Sequence, residues 1–184
     1  FYSEAGLYLK YLRAIMEELV VSHERSVFYV TSDPMDPLLT EKAHGIRSFC
    51  ISAQSALITF FETLDLCVIA MSVPDLEKYH IKRSAFPVTY VFVHHSMAST
   101  HMIYRKGAFD HYDAILCVGP YHMEETRQWE QLKGLKPKIL VEHGYAPLDD
   151  LLRQRPKNYA LPAPGERLNV LVAPSWGANG LLEQ

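Results

Sequence analysis

A repeated change of period constrains this chain more than any other feature. Short β-branched and apolar runs of four to six residues alternate with longer stretches patterned for helices. The runs are Ser26–Thr31, Ile46–Ile51, Leu66–Met71, Val88–Val93, Ala114–Val118 and Lys138–Val141. Helical spacing fills Glu4–Val21, Ala53–Thr63, Tyr121–Lys133 and Ala146–Arg153. Leu66-Cys67-Val68-Ile69-Ala70-Met71 is apolar at every position, the pattern of a strand buried on both faces. Such alternation predicts βαβ units and an α/β fold: a Rossmann-like three-layer sandwich with a mainly parallel sheet. Glu4–Val21 repeats apolar residues at Leu7, Leu12, Ile15 and Leu19, which predicts one broad face packed on that sheet.

Composition narrows the setting. Residues 1–157 read as one domain. The Pro- and Gly-bearing stretch 158–167 reads as a linker, and 168–184 as the first strand and loop of a second domain. The chain begins at Phe1 and stops soon after that strand, which reads as a piece of a longer two-domain protein. A net charge of -3 offers no basic footprint for nucleic acid, so none is expected as a partner. Three cysteines (Cys50, Cys67 and Cys117) form no C-x-x-C pair, and the odd number argues for a reducing, cytoplasmic compartment with buried thiols. No apolar run approaches the roughly 18 residues that span a bilayer.

In an open parallel sheet, ligands bind beyond the carboxyl ends of the strands. Four loops there carry the chemistry. The first is His94-His95-Ser96-Met97-Ala98-Ser99-Thr100, where a histidine with a near-neutral pKa can act as general base toward a hydroxyl. Ser96, Ser99 and Thr100 add hydroxyls, the last two also at a helix start. The second holds Arg105 and Lys106, suited to a phosphate. The third is Val118-Gly119-Pro120, where Gly119 permits close approach to a helix N-terminus. The fourth is His143-Gly144-Tyr145. His94, His95 and His101 do not match a zinc spacing, so no metal is expected. There is no phosphate loop, no nucleophile elbow and no complete dinucleotide fingerprint, so no cofactor is expected either.

Taken in order, these blocks resemble the CDP-glycerol glycerophosphotransferase family of teichoic acid primases and polymerases. The resemblance rests on Phe92-Val93-His94-His95-Ser96-Met97, Ile115-Leu116-Cys117-Val118-Gly119-Pro120, His143-Gly144-Tyr145 with the following Leu-Asp helix, and Ala173-Pro174-Ser175-Trp176. It covers Pro87 to Glu183. Where the family's first motif reads His-Gly-Thr-Pro-Leu-Lys, this chain has His95-Ser96-Met97-Ala98-Ser99-Thr100. The resemblance implies the amino-terminal, acceptor-side half of a GT-B architecture. It implies transfer of glycerol phosphate from CDP-glycerol, the nucleotide-activated donor, to a polymer or lipid-linked acceptor hydroxyl in teichoic acid or capsular polysaccharide synthesis. His95 matches the motif histidine, with His94 the neighbour that a shifted alignment would choose. Ser96, Ser99, Thr100, Arg105, Gly119, His143 and Gly144 would line the substrate site. The family also implies peripheral association with the inner face of the cell membrane and a carboxyl-terminal domain that binds the donor. A GT-B glycosyltransferase, a nucleotide-sugar epimerase and a non-catalytic Rossmann-like binding module remain open alternatives.

Overall fold

The computed structural model describes residues 1–155 together with Gly165 and Arg167. The expected linker and second-domain start lie outside the described residues, apart from those two. Seven strands form one sheet: β1 (Tyr2–Ser3), β2 (Val27–Thr31), β3 (Ile46–Cys50), β4 (Val68–Met71), β5 (Thr89–Val93), β6 (Ala114–Cys117) and β7 (Ile139–Glu142). Every pairing is parallel, in the order β3-β2-β1-β4-β5-β6-β7. The helices are α1 (Leu9–Val21), α2 (Gln54–Glu62), α3 (Thr100–Ile103), α4 (Pro120–Lys133) and α5 (Ala146–Gln154). This is the three-layer α/β fold expected from the alternation.

Period-two alternation along the strands divides the core in two. On one face Tyr90 and Phe92 of β5, Ile115 and Cys117 of β6 and Met71 of β4 pack with Leu57 and Phe61 of α2. On the other, Tyr29 of β2, Ala70 of β4 and Val93 of β5 pack with Leu9, Leu12 and Met16 of α1. The edges are barer. Phe49 on β3 and Ile139 and Val141 on β7 are exposed.

Three expectations are corrected. The helix read from Glu4 begins instead at Leu9, after a 3-10 turn over Gly6–Tyr8. The residues before it form β1, a two-residue strand at the centre of the sheet. Tyr2 is fully buried there, edge-on to Phe61 with ring centroids 5.0 Å apart, and its hydroxyl meets Ser32 Oγ at 3.0 Å. Two residues are too few to display an alternation, so periodicity could not find them. Second, Cys50 and Cys67 are exposed; only Cys117 is buried. Cys50 ends the edge strand β3 and Cys67 immediately precedes β4. Third, Ser99 occupies the N-cap position of α3 but makes no side-chain cap bond.

Chain order turns outward in opposite directions from the β1–β4 boundary, since β1 leads to β2 on one side and β4 leads to β5 on the other. That is a topological switch point, where loops from neighbouring strands diverge and leave a crevice beyond the carboxyl ends.

Candidate functional site

The crevice is present. Ser3 at the end of β1 and Glu4 just beyond it, Ser72–Pro74 after β4, and His95 and Ser96 after β5 wall a cleft of about 520 Å³. Tyr8 of the 3-10 turn and Tyr104 just past α3 close its sides. An extension past Val73 and Pro74 reaches Tyr79, His80 and Arg105.

Adjacent residues of an extended chain leave on opposite faces, and this separates the two histidines. Phe92 and His94 point toward α4, and His94 stacks on His122 with centroids 4.1 Å apart and 24° between planes. His94 is 4% exposed, and neither ring nitrogen has a hydrogen-bond partner among the described residues. Burial pushes its pKa down to about 3, with the His122 and His95 rings adding to the shift. It belongs to the core, not the cleft. His122 is held by both nitrogens: Nε2 donates to the Ala98 carbonyl at 2.9 Å, and Nδ1 accepts from the Val118 N–H at 3.4 Å. A carbonyl can only accept, so the proton of His122 sits on Nε2.

His95 takes the cleft side. Tyr8, Tyr11 and Tyr104 surround its ring at centroid distances of 5.5, 5.9 and 5.6 Å. The Tyr104 hydroxyl lies 3.2 Å from Nε2. Burial holds the His95 imidazole below its ordinary value, with the Ser72 backbone offsetting part of the shift. Burial, followed by the neighbouring Tyr11, Tyr145 and Tyr8, raises the Tyr104 phenol. The phenol therefore keeps its proton beside a neutral imidazole, and the tautomer of His95 sets which of the two donates in this bond. From the loop after β7, the Tyr145 hydroxyl donates to the His95 carbonyl at 3.3 Å. Glu4, which also lines the cleft, is raised by desolvation, and His80, with Nε2 3.9 Å from Oε1, offsets part of that.

Of the residues singled out from sequence, His95 and Ser96 line the cleft, and Arg105 lines only its extension. Arg105 is exposed, with its guanidinium 5.4 Å from the Tyr79 ring centre. The others lie elsewhere. Ser99 and Thr100 are held by Glu125: Ser99 Oγ donates to Oε1, and the Thr100 amide and hydroxyl donate to Oε2 at 2.8 and 2.6 Å. Burial raises the Glu125 carboxyl, but these three bonds and the nearby His101 outweigh it and leave the group below its ordinary value. Gly119 is buried at the start of α4 with extended backbone, and an added Cβ would meet the Tyr121 ring at 3.2 Å. His143 is exposed, and its amide donates to the Cys117 carbonyl at 2.8 Å. Gly144 turns the chain there at φ +85°.

Sequence reasoning missed Ser3, Glu4, Ser72, Tyr8 and Tyr104. Ser3 and Glu4 were hidden with β1. Ser72 had a usable signal, since Ser72-Val73-Pro74 follows the most apolar strand and proline ends strands. Tyr104 had none, because it meets His95 only through the turn that follows α3. Among the described residues, no group of three or more His, Cys, Asp or Glu side chains is arranged to hold a metal. None of the described helices is long and apolar enough to cross a membrane.

No family model, no curated protein and no solved structure matches the chain.

Proposed function

We propose that this chain supplies the acceptor side of a group-transfer enzyme similar to the CDP-glycerol glycerophosphotransferases, with His95 as general base. One observation carries the reading: an imidazole depressed by burial stands unprotonated at neutral pH, at the wall of the switch-point cleft. In such a step an acceptor hydroxyl binds in the cleft and displaces the Tyr104 phenol from His95 Nε2. The hydroxyl gives its proton to Nε2 as its oxygen attacks phosphorus. The new O–P bond forms while the bond to the cytidine monophosphate leaving group breaks. Positioning and proton transfer are what a base of this kind contributes, typically 10²–10⁴-fold.

Among the described residues the cleft wall contains no lysine or arginine, and Glu4 adds a carboxyl group to it. This chemistry suits a neutral hydroxyl-bearing acceptor better than a diphosphate. The donor would then be held by groups other than those of the cleft, in line with a separate donor domain. The family resemblance supplies the donor's identity; the geometry supports only the role of His95.

The test is transfer of radiolabelled glycerol phosphate from CDP-glycerol by the full-length protein. His95→Ala should lower kcat by about 10²-fold or more, with an unchanged circular dichroism spectrum. In the wild type, the acid limb of the rate profile should fall below the ordinary histidine value of 6.5, since the base acts only when unprotonated. Full activity in His95→Ala would remove the base role. Turnover of a sugar nucleotide in place of CDP-glycerol would replace the donor and keep the base.

A further inference from the structure

A second concavity, of about 370 Å³, lies between α4 and the loop from Tyr104 to Asp110. It shares only Tyr104 with the cleft. Its walls are mainly apolar, with Phe109, Ala108, Trp129 and Leu132 among them. At its base is Lys138, only 7% exposed.

Lys138 is fixed through its backbone. Its amide donates to Glu130 Oε1 at 2.8 Å, and its carbonyl accepts from Arg127 at 3.0 Å. Its ammonium has no hydrogen bond or ion pair among the described residues, although three carboxylates also line the groove. Each of those is already engaged. Glu130 takes Arg127 at 2.6 Å and the Lys138 amide; Glu125 takes Ser99 and Thr100; Asp110 accepts the Trp129 indole N–H at 2.8 Å. The residue is more than nine-tenths buried, so its stem is covered, while its ammonium stays open to a counter-charge that no side chain among the described residues supplies.

We propose that this groove binds a small amphipathic carboxylate, its apolar body along Phe109 and Trp129 and its carboxylate on Lys138. The size falls in the range of small-molecule pockets, and apolar walls with one polar anchor are their usual composition. A single ammonium favours a monoanion. A phosphate dianion would call for several donors converging on one point, and the groove presents one at its base. Arg105 and Lys106 at the rim add positive potential at the entrance. The proposal does not rest on the reading of His95.

Octanoate and its neutral counterpart 1-octanol serve as probes in calorimetric titrations of the full chain. Octanoate is expected to bind saturably at sub-millimolar concentration, at least about tenfold more tightly than 1-octanol, since a charge-assisted bond is lost in the alcohol. Lys138→Met keeps the chain length and removes the charge; it should cost octanoate about tenfold and leave 1-octanol unchanged. Independently of that variant, NMR of the wild type should show octanoate shifting the Trp129 indole N–H and the Phe109 amide. Absence of saturable binding, equal affinity for the two probes, shifts confined to other regions, or an unaffected Lys138→Met would each overturn the site.

Discussion

At the residue scale, the clearest consequence concerns His94. Its ring is buried against His122, Phe92 and Phe109, with both nitrogens unpaired among the described residues. The unfolded chain takes up a proton near the ordinary value of 6.5, and the native protein resists it until about pH 3. Native stability is therefore whole above pH 6.5 and declines as the pH falls through that window, by at most on the order of 5 kcal/mol. His94→Leu removes the group that titrates and leaves no buried nitrogen unpaired. Urea unfolding between pH 7 and pH 4 should show a steep fall for the wild type and a flatter one for His94→Leu. Parallel curves would show that other groups carry the acid sensitivity. Sequence reading recognised that two histidines end one strand but could not assign them opposite roles. The alternation separates them in the sequence itself; which face carries the cleft depends on β1 and on Tyr8, which no local pattern marks.

At the element scale, α4 shows how local signals and tertiary contacts divide the work. Pro120 at the first helical position and Gly134 at the end bracket it, and the proline start was legible. Gly134 adopts φ +61°, and the Gly134 and Leu135 amides close on the Gln131 and Glu130 carbonyls at 3.4 and 2.9 Å. An added Cβ there would meet nothing within 4 Å, so substitution tests the backbone alone. Gly134→Ala should cost roughly 1 kcal/mol, and Gly134→Asn less, because asparagine tolerates the left-handed region. Chemical denaturation of the two variants checks the order, and an unaltered midpoint for Gly134→Ala would contradict the capping account. The contacts that α4 makes were not legible in the same way. Glu125 reaches back to Ser99 and Thr100 across 25 or more positions, and Trp129 reaches Asp110. Those pairings follow from how the 94–113 segment packs on α4, which no local pattern encodes.

At the scale of the whole molecule, the six strands that alternation could reveal were found, within two residues at each end. The seventh, β1, sits at the centre of the sheet. Its position creates the switch point, and so its absence from the sequence reading cost half of the cleft while leaving the fold class intact. The sheet's burial then predicts how the native state opens. Among the described residues, β4, β5 and β6 carry mostly buried side chains and hydrogen-bonded neighbours on both sides. Among the described residues β3 and β7 have a neighbour on one side only, and all of their side chains are exposed or half-buried. Local opening draws on regions with few buried apolar contacts. Hydrogen–deuterium exchange followed by mass spectrometry should therefore find the amides of β4–β6 protected longest, with β3 and β7 exchanging earlier. β1 should follow the centre despite its length, because Tyr2 is wholly buried and its strand pairs with both β2 and β4. Early exchange at Tyr2 and Ser3 would mean that the cleft's first wall opens independently of the sheet. Protection of β7 equal to that of β5 would mean that this edge is covered in solution by something other than the described residues.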